Sequence, residues 1–430
     1  MELFDPRLMR LLTFLTRRQA WMSHREVAKA LRIDGEPVTS RTVHRWFVFL
    51  RETASFVYYP YPRANLLGLQ DVVVTVRGLR QPEVLSVLPF GASFGIEVGM
   101  ADGIPFASQG YWVPGTAMEA FQEYWRAARD LGLLDEVDVF QSRNTHFVYS
   151  PFESLIGPDG NTGLHGPVDN SHFESLLRAQ LRRPFEVEVG DPIARAPLVV
   201  PIVLEHLWAH YSSRQVWQAI RGKWDAPIRA YGPALARNVD RPGAALRIVQ
   251  EQWAAILRHF NEVFVQPRVF FDWTRLRNTM FLSFVLQPGS VEGMIDAAIR
   301  ASERALYTSF KPGAGDEARC MITCLAPSDQ LVPLLQVVRD HHRGREAPVV
   351  SVQDKTATAE LFQKTFCRVD WRLFDPSALG WRFHRHQYAE TLKRLRPEAP
   401  LTPSPRGRAR SRGSQSPGRN RRPRGGPGAP

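Results

Sequence analysis

Trp46, Leu50 and Arg51 recur as Trp253, Leu257 and Arg258, Val57 and Pro60 as Phe264 and Pro267, and Leu69 as Leu276, every pair 207 positions apart. Side chains that return in register over such a distance constrain the chain to build one supersecondary unit twice. Further on the offset widens to 212 or 213, where Val113-Pro114 faces Ala326-Pro327 and Gly132 faces Gly344. Hydrophobic periodicity supplies the unit. The first half predicts helices over Arg7 to Thr16, His24 to Leu31 and Ser40 to Arg51, then an aromatic extended run from Ser55 to Tyr61. A strand (Asp71 to Val76), a short helix (Glu83 to Leu88), two strands (Ser93 to Val98, Phe106 to Val113), a helix (Thr116 to Leu131) and a last strand (Val137 to Phe140) follow. The second half predicts the same order from Val199 to Val352.

The two halves are separated by PFESLIGPDGNTGLHGPVDN and GDPIARAP, both dense in Gly, Pro, Asn and Asp, which read as a connector over 151–197. From Leu401 to Pro430, Gly, Pro, Ser and Arg make up 24 of 30 residues, too little apolar surface to offset chain entropy, so this tail is expected to be disordered. Its eight arginines, with no acid, hold +8 of the net charge of +12. They would add salt-sensitive affinity for a polyanion without sequence discrimination. Three cysteines in 430 residues exclude a disulfide scaffold and fit a reducing compartment. No apolar run has the length of a membrane span, and the N-terminal stretch reads as an amphipathic helix rather than a secretory signal, so a cytoplasmic protein without a membrane partner is expected.

Local chemistry points to the third helix. Ser23-x-x-Glu26 is a capping box opening the second helix, and Thr39 or Ser40 caps the third. Val43, Trp46, Phe47 and Leu50 recur at three and four residues and face a core. The opposite face carries Ser40, Arg41, Thr42, His44 and Arg45, rich in hydrogen-bond donors. An arginine there can pair bidentately with guanine O6 and N7, worth about 1 to 3 kcal/mol of discrimination. Arg41, His44 and Arg45 are therefore the candidates for base contact, and Ser40, Thr42, Arg51 and Arg63 for phosphate contact. The competing reading is a small helical domain whose arginines are merely solvated.

The stretch SRTVHRWFVFLRETASFVYYPYPRANLLGLQDVVVTVRG, Ser40 to Gly78, resembles the Lrp/AsnC family of transcription regulators in its order of helix, extended segment and Val-rich strand. The resemblance implies an α+β fold, a winged helix-turn-helix plus a ferredoxin-like β-α-β-β-α-β module, here duplicated in tandem. The implied domains are 1–66 (winged helix-turn-helix), 67–150 (ferredoxin-like), 151–197 (linker), 198–272 (degenerate winged helix-turn-helix), 273–395 (ferredoxin-like) and 396–430 (tail). It further implies a DNA-binding transcription regulator acting as a single-chain pseudo-dimer on double-stranded DNA, with a small-molecule effector and self-association as further partners. Two departures stand out. The gap Arg32 to Thr39 exceeds the usual helix-turn-helix turn, and the corresponding helix of the second half offers Arg247, Gln250 and Glu251 instead of an arginine pair.

Enzymes leave weaker traces. No GxxxxGK[ST], HExxH, GxSxG or CxxC occurs. Cys320 and Cys324 read as core, and His341-His342 and His384-x-His386 lack partners at metal spacing, so no metal and no cofactor is expected. Siroheme decarboxylases look like Lrp/AsnC proteins and occur as fused pairs. Their histidines and basic residues have no match in Ser93 to Val113, which contains neither His nor Arg. A plasmid replication initiator is the other alternative, and its lack of a ferredoxin-like pattern speaks against it. The expectation is a non-enzymatic regulator.

Overall fold

The computed structural model describes residues 2–163, 198–222, 237–259, 263–353 and 369–395, apart from 19–20, 55, 92–96, 102, 208–212, 239–240, 271 and 315–317, and a few positions between 168 and 178. The connector helix expected over Phe173 to Arg182 is helical at 173–175 and 177–178, its other positions lie outside the described residues, and the tail 396–430 lies wholly outside them.

The chain begins with α1 (Pro6–Thr16), α2 (His24–Ala30) and α3 (Ser40–Ala54). Between α2 and α3 stands a hairpin of β1 (Arg32–Ile33) and β2 (Glu36–Pro37), paired Arg32 to Pro37 and Ile33 to Glu36. Its turn is Asp34-Gly35, both at positive φ (53° and 84°), the backbone that a two-residue hairpin of type I′ demands. The long gap in the sequence is thus a hairpin, where a helix-turn-helix would have a short turn. The aromatic run becomes β3 (Val57–Pro62).

β4 (Leu69–Arg77), β5 (Glu97–Ala101), β6 (Ile104–Pro114), α4 (Met118–Asp130) and β7 (Glu136–Ser142) follow, with a 3-10 turn over Pro82–Ser86 where a short helix is predicted. Then come β8 (His146–Tyr149), α5 (Phe152–Leu155), α6 (Val199–Leu207), α7 (Ser213–Gly222), α8 (Pro242–Arg258) and β9 (Phe264–Phe270). The remainder comprises β10 (Thr279–Leu286), α9 (Val291–Ser302), β11 (Tyr307–Pro312), β12 (Cys320–Pro327), α10 (Leu331–His341) and β13 (Val349–Gln353). A two-stranded pair, β14 (Phe374–Asp375) and β15 (Gly380–Trp381), and α11 (Arg385–Arg394), which packs on α4, complete the described chain.

Nine strands form one antiparallel sheet in the order β7-β4-β6-β5-β13-β10-β12-β11-β8. Its first and last strands are consecutive in sequence. Arg143 N donates to Pro312 O (2.9 Å) and Ala314 N to Gln141 O (3.0 Å), so the sheet closes on itself and hides its edges. Alternation then sorts the side chains. Val72, Val74 and Val76 face outward into a core with Phe121 and Trp125 of α4. Leu282, Phe284, Ile322 and Cys324 do the same beneath α9 and α10, where burial pushes the Cys324 thiol up to about 12. Cys320 and Cys324 are buried core residues, as the sequence suggests.

The inward face is partly polar. Val73, Phe140 and Met321 meet across it. Lys311 Nζ of β11 reaches Asp71 Oδ2 of β4 at 2.9 Å, and Thr145 hydrogen-bonds both. Asp71 is 2% exposed, so its charge depends on this ammonium and hydroxyl. Removing the cation should cost about 3 to 5 kcal/mol, because an uncompensated carboxylate stays buried. Urea denaturation of Lys311→Met is expected to show that loss, and Asp71→Leu combined with Lys311→Met to recover most of it. At the hairpin, nothing lies within 4 Å of a Cβ added at Gly35. Gly35→Ala therefore meets only the backbone penalty of positive φ, and its denaturation midpoint should report a loss of about 1 to 2 kcal/mol.

Candidate ligand cleft between α2 and α3

β3 decides what the first three helices can present. It pairs antiparallel with β9, Val57 opposite Phe270 and Tyr61 opposite Gln266, and Tyr58, Tyr59 and Tyr61 are all buried. The segment expected to serve as the wing of the winged helix-turn-helix is instead an interior strand, paired along its length with β9. Arg63 follows it half-buried, with its backbone N donating to Val263 O (2.9 Å).

α3 starts at a cap made by Thr39, whose Oγ1 accepts from Thr42 N (3.1 Å), so Ser40 is the first helical residue. Val43, Trp46, Phe47 and Leu50 are buried, as their spacing requires. Ser40, Arg41, His44, Arg45 and Arg51 are exposed and Thr42 is half-buried. α2 opens at the predicted capping box, with Ser23 N donating to Glu26 Oε2 (2.7 Å) and Glu26 N to Ser23 Oγ (3.4 Å). That box turns the α2 N-terminus toward α3.

A cleft of about 450 Å³ results, lined by Trp21, Met22, Ser23, His24, Arg25, Ser40, Arg41, His44, Phe47 and Tyr58. One wall is aromatic. Trp21 stacks on Tyr58 (6.2 Å, 14°), and Tyr58 Oη accepts from Met22 N (3.2 Å), holding the 21–23 segment in place. The rim is cationic, since among the described residues Arg25 and Arg41 have no ion-pair partner. The nearest carboxylate on α2, Glu26, is engaged with the Ser23 amide.

Two imidazoles line it, the half-buried His24 and the exposed His44, their centroids 5.3 Å apart, with His24 edge-on to Phe47 at 4.5 Å. Burial, and then the neighbouring His44, hold His24 below the ordinary histidine range. The cleft thus combines flat apolar surface, two permanent cations and, in His24, an imidazole kept neutral near pH 7. Of the residues singled out in the sequence it gathers Ser40, Arg41 and His44, while Arg45, Arg51 and Arg63 lie outside its lining. Trp21, His24 and Arg25 escape a sequence search, since nothing in their spacing links them to residues some twenty positions later. Elsewhere His341 Nε2 meets Asp296 Oδ2 of α9 at 2.7 Å, a carboxylate partner invisible in sequence, but no group of three metal-ligating residues forms among the described residues.

No protein-family model and no curated protein matches the sequence. Similar solved structures include siroheme decarboxylase NirDL and the same enzyme in co-complex with an iron-uroporphyrin III analogue. Each is 9% identical and covers 90% of this chain, which spans 97% and 98% of theirs, at TM-scores of 0.40 and 0.39. Both are enzymes, and this corrects the expectation of a non-enzymatic protein. That expectation drew on the absence of His and Arg from Ser93 to Val113, whereas the described residues bring histidines and arginines together between α2 and α3. At this similarity no residue role is carried across.

His24 also makes stability depend on pH. A folded-state value below the unfolded one means that the neutral form is favoured on folding. The contribution is full above the ordinary value of about 6.5 and is lost as pH falls below it toward the lowered folded value. Thermal midpoints of His24→Gln between about pH 7.5 and about 5.5 (roughly one unit either side of that value) are expected to decline less on the acid side than those of the unchanged chain.

Proposed function

We propose that the α2–α3 cleft is the working site of this chain and takes a planar, carboxylate-bearing molecule, a tetrapyrrole acid being the class that fits. The observation that carries the reading is the convergence of the Trp21–Tyr58 wall, the free guanidiniums of Arg25 and Arg41, and the His24–His44 pair in one concavity. A flat macrocycle edge stacks on the wall and its carboxylates pair with the guanidiniums, each charge-assisted contact contributing about 1.5 to 3 kcal/mol. Iron-uroporphyrin III, whose analogue one similar structure holds, has that chemistry, and decarboxylation is the reaction class in the name of both similar structures. His24, held below the ordinary histidine range by burial, is the group placed to accept a proton from, or return one to, a side-chain carboxyl.

The single-chain pseudo-dimer of Lrp/AsnC type belongs to the same reading. It is supported by the reciprocal edge pairing of β5 with β13 and of β8 with β11, and by the pairing of β3 with β9. Duplex DNA is the second reading, favoured by Arg41, His44 and Arg45 exposed along one stretch of α3 without carboxylate partners among the described residues. In that reading these three face bases, while Ser40, Thr42, Arg51 and Arg63 serve phosphates, and the interior placement of β3 removes the wing that would steady them.

One pair of titrations separates the two. Iron-uroporphyrin III followed by its Soret band is expected to bind saturably, and Arg25→Ala with Arg41→Ala to weaken it at least roughly tenfold. A random duplex followed by anisotropy at two salt concentrations is the counterpart. Tight, steeply salt-dependent duplex binding without a Soret change would favour the DNA reading, and binding of neither would overturn the assignment of the cleft.

A further inference from the structure

The aromatic wall of the cleft is backed by the other half of the chain. Trp21 has Tyr58 on one side and the edge of Trp253 on another, at 6.0 Å and 74°. Trp253 lies on α8 and is 7% exposed. His206 of α6 stacks on it at 3.6 Å and 12°, and Phe264 of β9 meets it edge-on at 6.1 Å. β9 in turn pairs with β3, where Val269 faces Tyr58, the other neighbour of Trp21. Trp21 is therefore held in a closed circuit of contacts running through both halves.

We infer that Trp253 is a positioning residue for the α2–α3 cleft, fixing the plane of Trp21 and with it the spacing between the aromatic wall and the Arg25–Arg41 rim. Trp253 is not among the residues lining the cleft. It acts through Trp21, so that the second helical set, whose α8 exposes Glu251 beside Arg247, serves as the backing of the first set's site. The inference rests on the proposed use of the cleft for its functional meaning, and on the ring contacts alone for its structural content. Ligand alignment depends on small displacements, which is why a residue without ligand contact can set affinity.

The full-length chain labelled with 5-fluorotryptophan tests it by 19F NMR, the Trp21 resonance being assigned from Trp21→Phe. Without ligand, Trp253→Leu is expected to shift or broaden the Trp21 line, and Trp253→Phe, which keeps a ring edge, to bring it back toward its original position. With iron-uroporphyrin III, Trp253→Leu should weaken binding about fivefold and Trp253→Phe restore it. Loss of thermal stability without movement of the Trp21 line would overturn the inference, as would a folded Trp253→Phe chain that fails to restore the line. If the unchanged chain binds no iron-uroporphyrin III while the line still moves in Trp253→Leu, the cleft's proposed ligand falls and the positioning contact stands. Should Trp253→Leu not fold, His206→Ala, which frees the other face of Trp253, carries the same test with the same two outcomes.

Discussion

The pairing of Val57–Pro62 with Phe264–Phe270 is the contact on which the rest of the molecule depends. It joins segments some two hundred residues apart and places Arg268 among Tyr59, Tyr61 and Phe147, with its guanidinium 4.2 Å from the Phe147 ring centroid. A cation buried in that way is tolerated because ring faces and phenol oxygens surround it, and burial among them pushes the Tyr149 phenol well up. α1 packs on β9 and α6 on β3, so each helical set rests on the other set's strand. Neither set could keep its arrangement without the other.

Closure of the sheet follows from the same geometry. Once β3 and β9 bring the halves together, β5 can add to β13 and β8 to β11, and the open edges that each four-stranded sheet would expose are used up. The closed interior carries several polar side chains that bond to one another across strands. Thr75 and Ser108 bond across one pair of strands, Ser283 and Thr323 across another, and Lys311, Asp71 and Thr145 tie β11 to β4. An aliphatic interior of the same size would pack as well, but it would not discriminate one register from its neighbour two residues along.

The functional consequence lies at the surface that remains. With the aromatic segment drawn inside and a hairpin standing between α2 and α3, the helices present a concavity beside a cationic ridge. A concave site with aromatic walls favours a flat ligand that can be enclosed, and a ridge favours an extended polyanion. Arg41 belongs to both surfaces, whereas Arg25 belongs to the cleft and Arg45 to the ridge.

Local chemistry was legible without coordinates. The capping box at Ser23 and Glu26, the buried stripe of Val43, Trp46, Phe47 and Leu50, and the core placement of Cys320 and Cys324 all follow from short-range rules: cap geometry and the periods of 3.6 and 2. Those rules say which face of an element is buried and nothing about what buries it. Only the tertiary structure decided that Tyr58, Tyr59 and Tyr61 turn inward against β9, that Lys311 meets Asp71, and that Trp21 and His24 stand across a cleft from Arg41 and His44. Each of these pairs segments whose separation in sequence leaves no periodic trace, and the partner was chosen by the global fit of charge and aromatic surface.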